Sequence, residues 1–431
     1  MNKKDIEELF ERLFPICRSI TGDGLRKSLD IIGEHIELFR YEVPSGTKVF
    51  DWVVPDEWNI KGAYIKKNEE KVVDFKENNL HVMSYSEPVD KVVGWEELEK
   101  HLHVGESSHF YDRGVPYRTS YYKRDWAFCV SYKQYEKLKE DNFASLYKVK
   151  IDSTLKPGYL SYGVTKLEGE SDKNFLFSSY LCHPSMANNE LSGPILMMLL
   201  YDYLSHRNNK INYHFYLGPE TIGALCYLQK ALCYLQNRID SFKNYLVGGL
   251  VLTQCADRRQ PLSYKETKRD SYVNKMMEYL SKREYGNMLR RLPFKSTGSD
   301  ERQWNSPNVN IPVGVFGRDV YCENQEYHTS ADNLQFVDVD RLLECFELLK
   351  DFIFILENDT TYRTDIVGEP FYSKYELMSD SSTDEYKEIL GYVFQGSNGK
   401  ESLLDIAINC PYNFRGIAAT AKVMKEKGII Y

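Results

Sequence analysis

The chain has 431 residues, enough for two or three domains, and a globular composition in which 42% of residues are hydrophobic. Its formal net charge of -8 gives no overall basic field that would favour nucleic acid or an anionic membrane. Residues 1–10 begin a charged amphipathic helix without the apolar core of a signal peptide, and the longest apolar run, 195–200, is too short to span a bilayer. The nine cysteines are scattered without a C-x-x-C pair. We therefore expect reduced thiols, a cytoplasmic location and no membrane segment.

The first third of the chain changes character near residue 41. Residues 1–41 predict two helices around a turn, whereas 42–144 contain short alternating runs rich in Val, Trp and Tyr that predict strands. The runs 147–151 and 158–167 flank a K-P-G turn and predict a hairpin. We assign 42–144 to a mostly β domain that is inserted into a main domain.

Strand-like and helix-like segments alternate in the main domain, to which we assign residues 1–41 and 145–369. Short apolar runs predict buried strands, and the longer apolar or amphipathic segments between them predict helices. This alternation indicates an α/β protein with a mixed, largely parallel central sheet that helices cover. The buried strands are predicted at 175–181, 213–217, 247–253 and 311–316.

Residues 370–431 predict a small C-terminal unit that follows a polar linker. Its last segment has an Asn cap, an Ala-rich amphipathic helix, a Gly and a short apolar strand, a pattern typical of a winged helix. Basic and acidic residues roughly balance there, whereas contact with DNA needs a basic face. We therefore favour a packing or protein-contact role and keep nucleic-acid binding as the weaker alternative.

The loop after the first buried strand is the most informative stretch. The run F-L-F-S-S-Y-L-C-H-P-S-M-A-N-N-E-L-S-G leaves the strand at His183 and presents Asn189 and Glu190 before a predicted helix. Ligands bind beyond the C-terminal strand ends of open α/β sheets, and an imidazole with a carboxylate suits zinc. Two other interpretations stay open. His183 could cap the strand by bonding a backbone carbonyl, and Cys182 could be a thiolate ligand or simply a small buried residue.

Further polar side chains follow or flank the other predicted strands. Glu220 follows the second strand in G-P-E-T-I-G-A, and Asp257 follows the third. Asp300 and His328 lie in polar loops on either side of the fourth. A metal hydrolase needs metal ligands and a free carboxylate that takes a proton from the attacking water. Glu220 is the natural candidate for this base.

The order of these motifs resembles that of the co-catalytic zinc aminopeptidases, the exopeptidase group that also includes the glutaminyl cyclases. The shared order is H-x…N-x-x-S-G, then E-x-x-G, then G-S-D…I-P-V-G-V…Y-H-T-x-x-D. The chain is more similar still to an uncharacterised aminopeptidase-like family with an inserted β region and a C-terminal winged helix, often encoded among polysaccharide-biosynthesis genes. The resemblance covers nearly the whole chain. It implies a phosphorylase/hydrolase-like zinc exopeptidase fold with a mixed central sheet.

The resemblance also implies roles for single residues. His183 matches the first zinc-ligand histidine of the aminopeptidases, and His328 matches the last. Glu220 matches their general base. Tyr327 matches an aromatic residue before the last ligand and would help to hold the oxyanion, and Asp300 would line the substrate pocket.

The chain departs from the aminopeptidase pattern at three ligand positions. The zinc-bridging Asp falls at Asn189, a neutral amide that we place beside the substrate. The second Glu of the usual pair is Thr221, and the strand-end Asp falls near Thr253. Because two dications need more negative charge than remains, we expect one zinc ion, with a second left open. We expect its ligands to be His183, His328 and a carboxylate, with Glu190 favoured over Asp257.

The function that follows from this resemblance is a zinc-dependent aminopeptidase or related amide hydrolase. Its substrate would be a peptide or a small molecule with a free amino terminus. The alternative is a catalytically impaired peptidase-like protein that binds a small ligand or regulates polysaccharide biosynthesis. A transcription factor is a third interpretation, which rests on the C-terminal unit alone, and a homo-oligomer is compatible with the chain.

Overall fold

The computed structural model describes residues 1–108, 111–112, 114–140, 145–234 and 246–431. The chain divides into two compact units. The first comprises residues 1–273 and 292–346, and the second comprises 274–291 and 347–431. The domain boundaries that the sequence suggests, at residues 41, 144 and 369, stay a prediction.

A large mixed sheet forms the centre of the first unit. Seven of its strands have the lateral order β1-β2-β4-β3-β5-β7-β6. The central strands β4, β3, β5 and β7 are parallel, whereas β1, β2 and β6 pair antiparallel with their neighbours. The mixed sheet predicted from the sequence is therefore confirmed, and its four buried strands begin and end within two residues of the predicted bounds. The strands are β1 (Phe39–Pro44), β2 (Tyr159–Leu167), β3 (Asn174–Tyr180), β4 (Asn212–Gly218), β5 (Leu246–Leu252), β6 (Leu262–Lys265) and β7 (Val313–Gly317).

The helix Ser192–Ser205 packs closely on this sheet. Its first turns are buried, as expected for a helix that covers one face of a parallel sheet. Gly193 is required at the closest approach, because a Cβ there would lie 2.2 Å from the Leu252 carbonyl oxygen and 2.4 Å from Ser179 Oγ. The Ser-Gly pair therefore fixes the loop before the helix against the ends of β3 and β5.

A second, four-stranded antiparallel sheet combines three strands of the mostly β region with the strand Tyr147–Lys156. Its lateral order is Glu70–Asp74, Glu57–Lys67, Tyr147–Lys156, Val89–Val93. The predicted hairpin of 147–151 with 158–167 is wrong, because Tyr147–Lys156 pairs within this second sheet whereas β2 pairs within the large one. Tyr147, Val149 and Ile151 are fully buried in a hydrophobic cluster of their own, which explains the partner they take.

The second unit contains a group of short helices and one β pair. Strand Thr361–Arg363 pairs antiparallel with Asn398–Ser402. Asn413 caps the last helix by accepting the Gly416 N–H at 2.8 Å, which is the cap that the sequence predicts. The helices are Asp384–Gly396, Leu403–Asn409 and Phe414–Glu426.

The remaining elements complete the described chain. Among the described helices, none has the length and apolar character that crossing a bilayer requires. The remaining α-helices are Lys3–Leu13, Asp23–Gly33, Trp95–Lys100, Tyr132–Glu140, Ile222–Tyr234, Tyr272–Tyr279, Glu301–Trp304 and Val339–Asn358. A π-helical turn covers Leu280–Tyr285, and 3₁₀ turns cover Asn79–His81, Gly286–Met288 and Tyr372–Tyr375. Short strands cover Lys48–Val49, Trp52–Val53, Leu102–Val104, Ser107–Ser108, Tyr111–Asp112, Phe128–Val130 and Leu289–Leu292.

Candidate functional site

Two histidines from distant parts of the chain meet at the C-terminal edge of the large sheet. His183 follows β3 and His328 lies in the loop after β7, and their ring centroids are 5.0 Å apart. Tyr117, from the mostly β region, contacts the His183 ring at 4.8 Å and the His328 ring at 5.2 Å, edge-on in both cases. The buried Tyr117 ring therefore holds the two imidazoles beside each other.

Backbone bonds join the His328 loop to the segment that carries Tyr117. The Tyr117 N–H donates to the His328 carbonyl at 2.8 Å, and the Ser330 N–H donates to the Val115 carbonyl at 2.8 Å. Ser330 Oγ also accepts the Val115 N–H at 3.0 Å. His328 itself has a φ of 56°, a left-handed conformation that a β-carbon disfavours. The paired segments hold His328 in that conformation.

Glu190 contacts His183 twice. Its Oε1 accepts the His183 backbone N–H at 2.8 Å, and its Oε2 lies 2.6 Å from His183 Nδ1. Both residues are buried. Burial acts to lower the pKa of His183, but Cys182 and the Glu190 carboxylate outweigh it and raise that pKa well above its usual value. Because Nδ1 is engaged by Glu190, Nε2 is the His183 nitrogen that remains for a ligand.

Arg18 lies behind this pair. The fully buried guanidinium donates from Nε to the His183 carbonyl at 3.0 Å and from Nη1 to the Leu13 carbonyl at 2.7 Å. Its Nη2 has no hydrogen-bond partner within the described residues. A buried cation thus accompanies the buried Glu190 carboxylate.

Cys182 is a neighbour of His183 and of the Glu220 backbone. Its Sγ lies 3.6 Å from His183 Nδ1 and accepts the Glu220 backbone N–H at 3.4 Å. Burial raises the pKa of the Cys182 thiol to about 11. Cys182, His183 and Glu190 are the residues of the described chain whose potential ligand atoms gather within 4.8 Å of one another.

Asp332 orders the loop between His183 and the following helix. Its Oδ1 accepts the Asn188 N–H at 2.6 Å and its Oδ2 accepts the Asn189 N–H at 2.8 Å. Burial nevertheless raises the pKa of Asp332 to about 7. The loop conformation that presents Asn189 and Glu190 therefore depends on Asp332, a residue of the loop that also carries His328.

Neutral groups bond to one another where co-catalytic zinc enzymes are expected to have carboxylates. Tyr180 Oη lies 2.5 Å from Thr253 Oγ1 and donates to Asn189 Oδ1 at 3.3 Å. Thr253 Oγ1 in turn donates to the Asn189 carbonyl at 3.2 Å. The Asn189 Nδ2 is buried without a partner in the described chain. This cluster adds no negative charge to the site.

Glu220 begins the turn after β4 and is followed by a strained residue. Thr221 has a φ of 64°, and its N–H donates to Asp300 Oδ1 at 2.6 Å. Asp300 is fully buried, and burial, followed by the charge of Glu220, raises its pKa well above the usual value. Asp300 thus fixes the backbone that presents Glu220.

A cavity of about 260 Å³ opens beside Glu220. Tyr327 and Tyr180 line it, and the Tyr327 ring stacks on His328 with centroids 3.8 Å apart. Burial raises the pKa of Tyr327, so its hydroxyl keeps the proton. A ligand in this cavity would contact Glu220 and a protonated phenol.

Asp257 is tied to its own loop. Its Oδ1 accepts the Arg259 N–H at 2.8 Å and the Gln260 N–H at 3.3 Å, and residue 257 forms a bridge with Val337. Burial raises the pKa of this carboxyl. Of the four metal ligands predicted from the sequence, His183 and Glu190 belong to the group of close potential ligand atoms in the described chain, whereas Asp257 and His328 lie outside it.

Three residues of this site were not singled out in the sequence. Arg18 and Tyr117 are far from the strand-end loops and follow no spacing rule that would connect them to a site. Asp332 belongs to the Y-H-T-S-A-D-N stretch, so its place in the motif was a signal, but its role as a cap of the 188–189 amides appears only in three dimensions.

The fold and the strand-end site define an aminopeptidase-like α/β protein. A zinc aminopeptidase from Bacillus subtilis has the same fold, with a TM-score of 0.56 over 82% of this chain and 94% of its own at 12% identity. The chain belongs to the family described as Domain of unknown function (DUF4910), whose model matches residues 7–359.

Two relatives from Clostridium acetobutylicum are similar over nearly their whole length. One is provisionally named a polysaccharide biosynthesis protein with aminopeptidase-like domain, and is 42% identical over 427 residues, 97% of this chain and 94% of its own. The other is a protein of known crystal structure that is provisionally named a peptidase. It has a TM-score of 0.89 and 39% identity, and the match covers 99% of this chain and 96% of that one.

Proposed function

We propose that this protein is an aminopeptidase or related amide hydrolase that acts on a peptide or small molecule with a free amino terminus. The observation that carries the proposal is the approach of His183 and His328 to 5.0 Å at a sheet edge where Glu220 lines a cavity. The aminopeptidase-like relatives support this reaction class.

We propose that His183 and His328, whose ring centroids are 5.0 Å apart, would hold one zinc ion between them. Burial lowers the pKa of His328, which favours the neutral ring that a zinc ligand must have, whereas zinc would have to displace the proton that Glu190 favours on His183. The neutral cluster of Tyr180, Asn189 and Thr253 supplies no charge for a second ion, so we propose a single one.

Glu190 is the carboxylate that we propose beside this zinc. A carboxylate that binds the other ring nitrogen of a zinc-bound histidine fixes the tautomer and raises the basicity of the ligand, and Glu190 contacts His183 Nδ1 in this way. Direct coordination by Glu190 would break that contact. Asp257 is the weaker candidate, because it is bonded to the amides of its own loop.

Glu220 is the proposed general base. A bound zinc would polarise the scissile carbonyl and lower the pKa of the attacking water. Glu220 would take the proton from that water and deliver it to the leaving amine, which needs a carboxylate that is not itself a ligand. The bond from the Thr221 N–H to Asp300 fixes the backbone next to Glu220, so the base is held in place before substrate binds.

Tyr327 and two buried polar groups complete the proposed site. Tyr327 keeps its proton and lies against His328, so it can donate to the oxyanion that forms on the scissile carbonyl. Asp300 Oδ2 and Asn189 Nδ2 are buried without partners in the described chain, and we propose both as substrate contacts.

The decisive experiment compares Glu220→Gln with the wild type on aminoacyl p-nitroanilides while zinc is measured by elemental analysis. Loss of a general base should lower kcat by about 10²–10⁴-fold, with zinc still bound at one per chain. Glu323→Gln, on the exposed loop after β7, is the matched control and should keep wild-type turnover. Unchanged turnover in Glu220→Gln would refute the mechanism.

The alternative is a catalytically impaired protein that binds a small ligand or regulates polysaccharide biosynthesis. The observation in its favour is the neutral cluster at the positions of the missing ligands. Purified protein without zinc and without turnover on any aminoacyl amide would favour it. About one zinc per chain with chelator-sensitive hydrolysis would exclude it.

For the C-terminal unit we propose a winged-helix-like fold with a protein-contact role. Three short helices with a strand between the first two support this assignment. A gel-shift experiment with duplex DNA at low salt tests it, and binding that weakens as salt rises would instead favour contact with nucleic acid.

A further inference from the structure

The cavity beside Glu220 has a second wall with different chemistry. Glu220, Tyr180 and Tyr327 line the cavity, and so does a second set of residues, here called its second wall: Lys295, Thr297, Gly298, Ser299 and Tyr321. At about 260 Å³ the cavity is smaller than the roughly 300–1,000 Å³ of sites for drug-sized ligands. It suits one amino-acid side chain.

Two lysines line this cavity, and only one of them has its charge compensated. Lys265 is buried, its Nζ lies 2.5 Å from Glu301 Oε1, and it also donates to the Thr297 carbonyl at 3.1 Å. The Lys295 ammonium instead lies 3.3 Å from the centroid of the Tyr321 ring. Within the described chain, no carboxylate forms an ion pair with Lys295. The lining therefore includes two charged groups without an ion-pair partner in the described chain, the exposed Lys295 ammonium and the Glu220 carboxylate.

Contacts with Glu301 and Lys265 fix the end of the loop that carries Lys295. The Ser299 N–H donates to Glu301 Oε2 at 3.0 Å, so Glu301 holds both this loop and Lys265. Gly298 has a φ of 144°, and a Cβ there would lie 2.3 Å from Lys265 Nζ. Ser299 Oγ is buried and has no partner in the described chain. The wall thus offers a fixed hydroxyl donor near a free cation.

We propose that this wall binds a side-chain carboxylate of the substrate, so that the protein favours substrates that begin with Glu or Asp. This inference rests on the proposed function. Lys295 attracts the carboxylate, and Glu220 repels it from the reacting end, so the two charges orient the substrate with its amide toward Glu220. A substrate with a cationic side chain would be repelled by Lys295 and attracted to Glu220, so its amide would not be directed toward Glu220.

The experiment compares kcat/KM for the p-nitroanilides of Glu and Gln, which have the same shape and differ in charge. Wild type should favour Glu by about tenfold, the ratio that one charge-assisted hydrogen bond of about 1.4 kcal/mol supplies. Lys295→Met should abolish this preference by lowering the rate for Glu alone, and Lys295→Glu should reverse it. Lys268→Met, at an exposed lysine that does not line the cavity, is the control and should change neither rate.

Equal kcat/KM for the two substrates in the wild type would overturn the inference, as would an equal loss for both in Lys295→Met. If neither substrate is cleaved, the proposed function fails, and binding then tests the inference alone. Free L-glutamate should raise Tm more than L-glutamine does, and Lys295→Met should remove the difference. Equal shifts, or none, would overturn the inference.

Discussion

Arg18 donates its Nε–H to the backbone carbonyl of His183 at 3.0 Å, so a guanidinium from the N-terminal segment supports the loop of the candidate site. Burial lowers the pKa of Arg18 and the nearby charge of Glu190 raises it, with burial the larger effect. The nearby charge of Arg18 therefore adds to the support that Glu190 receives from its contact with His183.

Replacement of Arg18 by Met should destabilise the first unit strongly. Met fills much of the same space but leaves the His183 and Leu13 carbonyls without their charged donor. We expect a loss of about 3 kcal/mol in the free energy of unfolding, because a buried acceptor left without a donor costs about 1–3 kcal/mol. Urea denaturation measures the change.

Arg12→Met is the matched control for Arg18→Met. Arg12 forms an exposed ion pair with Glu34, and such pairs contribute about 0–1 kcal/mol. A cost for Arg18→Met as small as that of Arg12→Met would show that Arg18 does not support the site.

Tyr117 should matter through its ring and not through its hydroxyl. Tyr117→Ala removes the surface on which both imidazoles pack, so we expect a loss of about 3–5 kcal/mol in stability. We also expect roughly tenfold weaker zinc binding, comparable to the loss of other outer contacts of a metal ligand. Tyr117→Phe keeps the ring and should behave as wild type. Denaturation and zinc titration against a chelator test both variants, and equal effects of Phe and Ala would contradict the packing role.

Gly193→Ala should be severely destabilising. The new methyl group would lie 2.2 Å from the Leu252 carbonyl oxygen, so the helix Ser192–Ser205 would have to move off the sheet. We expect a cost of about 3 kcal/mol or more, beyond the usual range for overpacking, because backbone yields less than a side chain. Gly33→Ala is the control, since its Cβ would meet nothing within 4 Å. Thermal unfolding should separate the two, and similar Tm values would contradict the close approach.

His214 should make stability depend on pH. Burial, followed by the charge of Lys166, lowers the pKa of His214 to about 4. Between pH 6.5 and pH 4 the unfolded chain binds a proton that the folded chain does not, so stability falls as the pH drops through this range. From pH 7.5 to pH 5, wild type should lose up to about 2 kcal/mol more than His214→Gln does. Urea denaturation at both pH values measures this, with the exposed His35→Gln as control, and equal losses in wild type and His214→Gln would contradict the shift.

The strands of the central sheet were predictable because each is a short apolar run between polar loops. That pattern follows from burial on both faces, as for the adjacent Phe175 and Leu176, which point to opposite faces and are both buried. The pairing of 147–156 was not predictable. Its alternation of apolar residues identifies a strand, but nothing in the local sequence determines which of two sheets it joins.

The candidate site was predictable only in part. The histidines and Glu220 follow strands, and parallel strand ends meet at one edge, so their approach follows from the order of elements. Arg18 and Tyr117 contact the site through long-range packing that leaves no periodic mark in the sequence. The engagement of Glu190 by His183 also depends on the conformation of the loop, which Asp332 sets from more than a hundred residues away.

The strand-like pairing of 115–117 with 328–330 has a consequence for how this architecture can be reduced in size. A shortened protein that lacked the mostly β region would lose the backbone hydrogen bonds that hold His328 in its left-handed conformation. It would also lose the Tyr117 ring, which packs against both imidazoles. The smallest protein that keeps the two histidines together therefore includes a segment that, viewed along the chain, looks like an optional accessory.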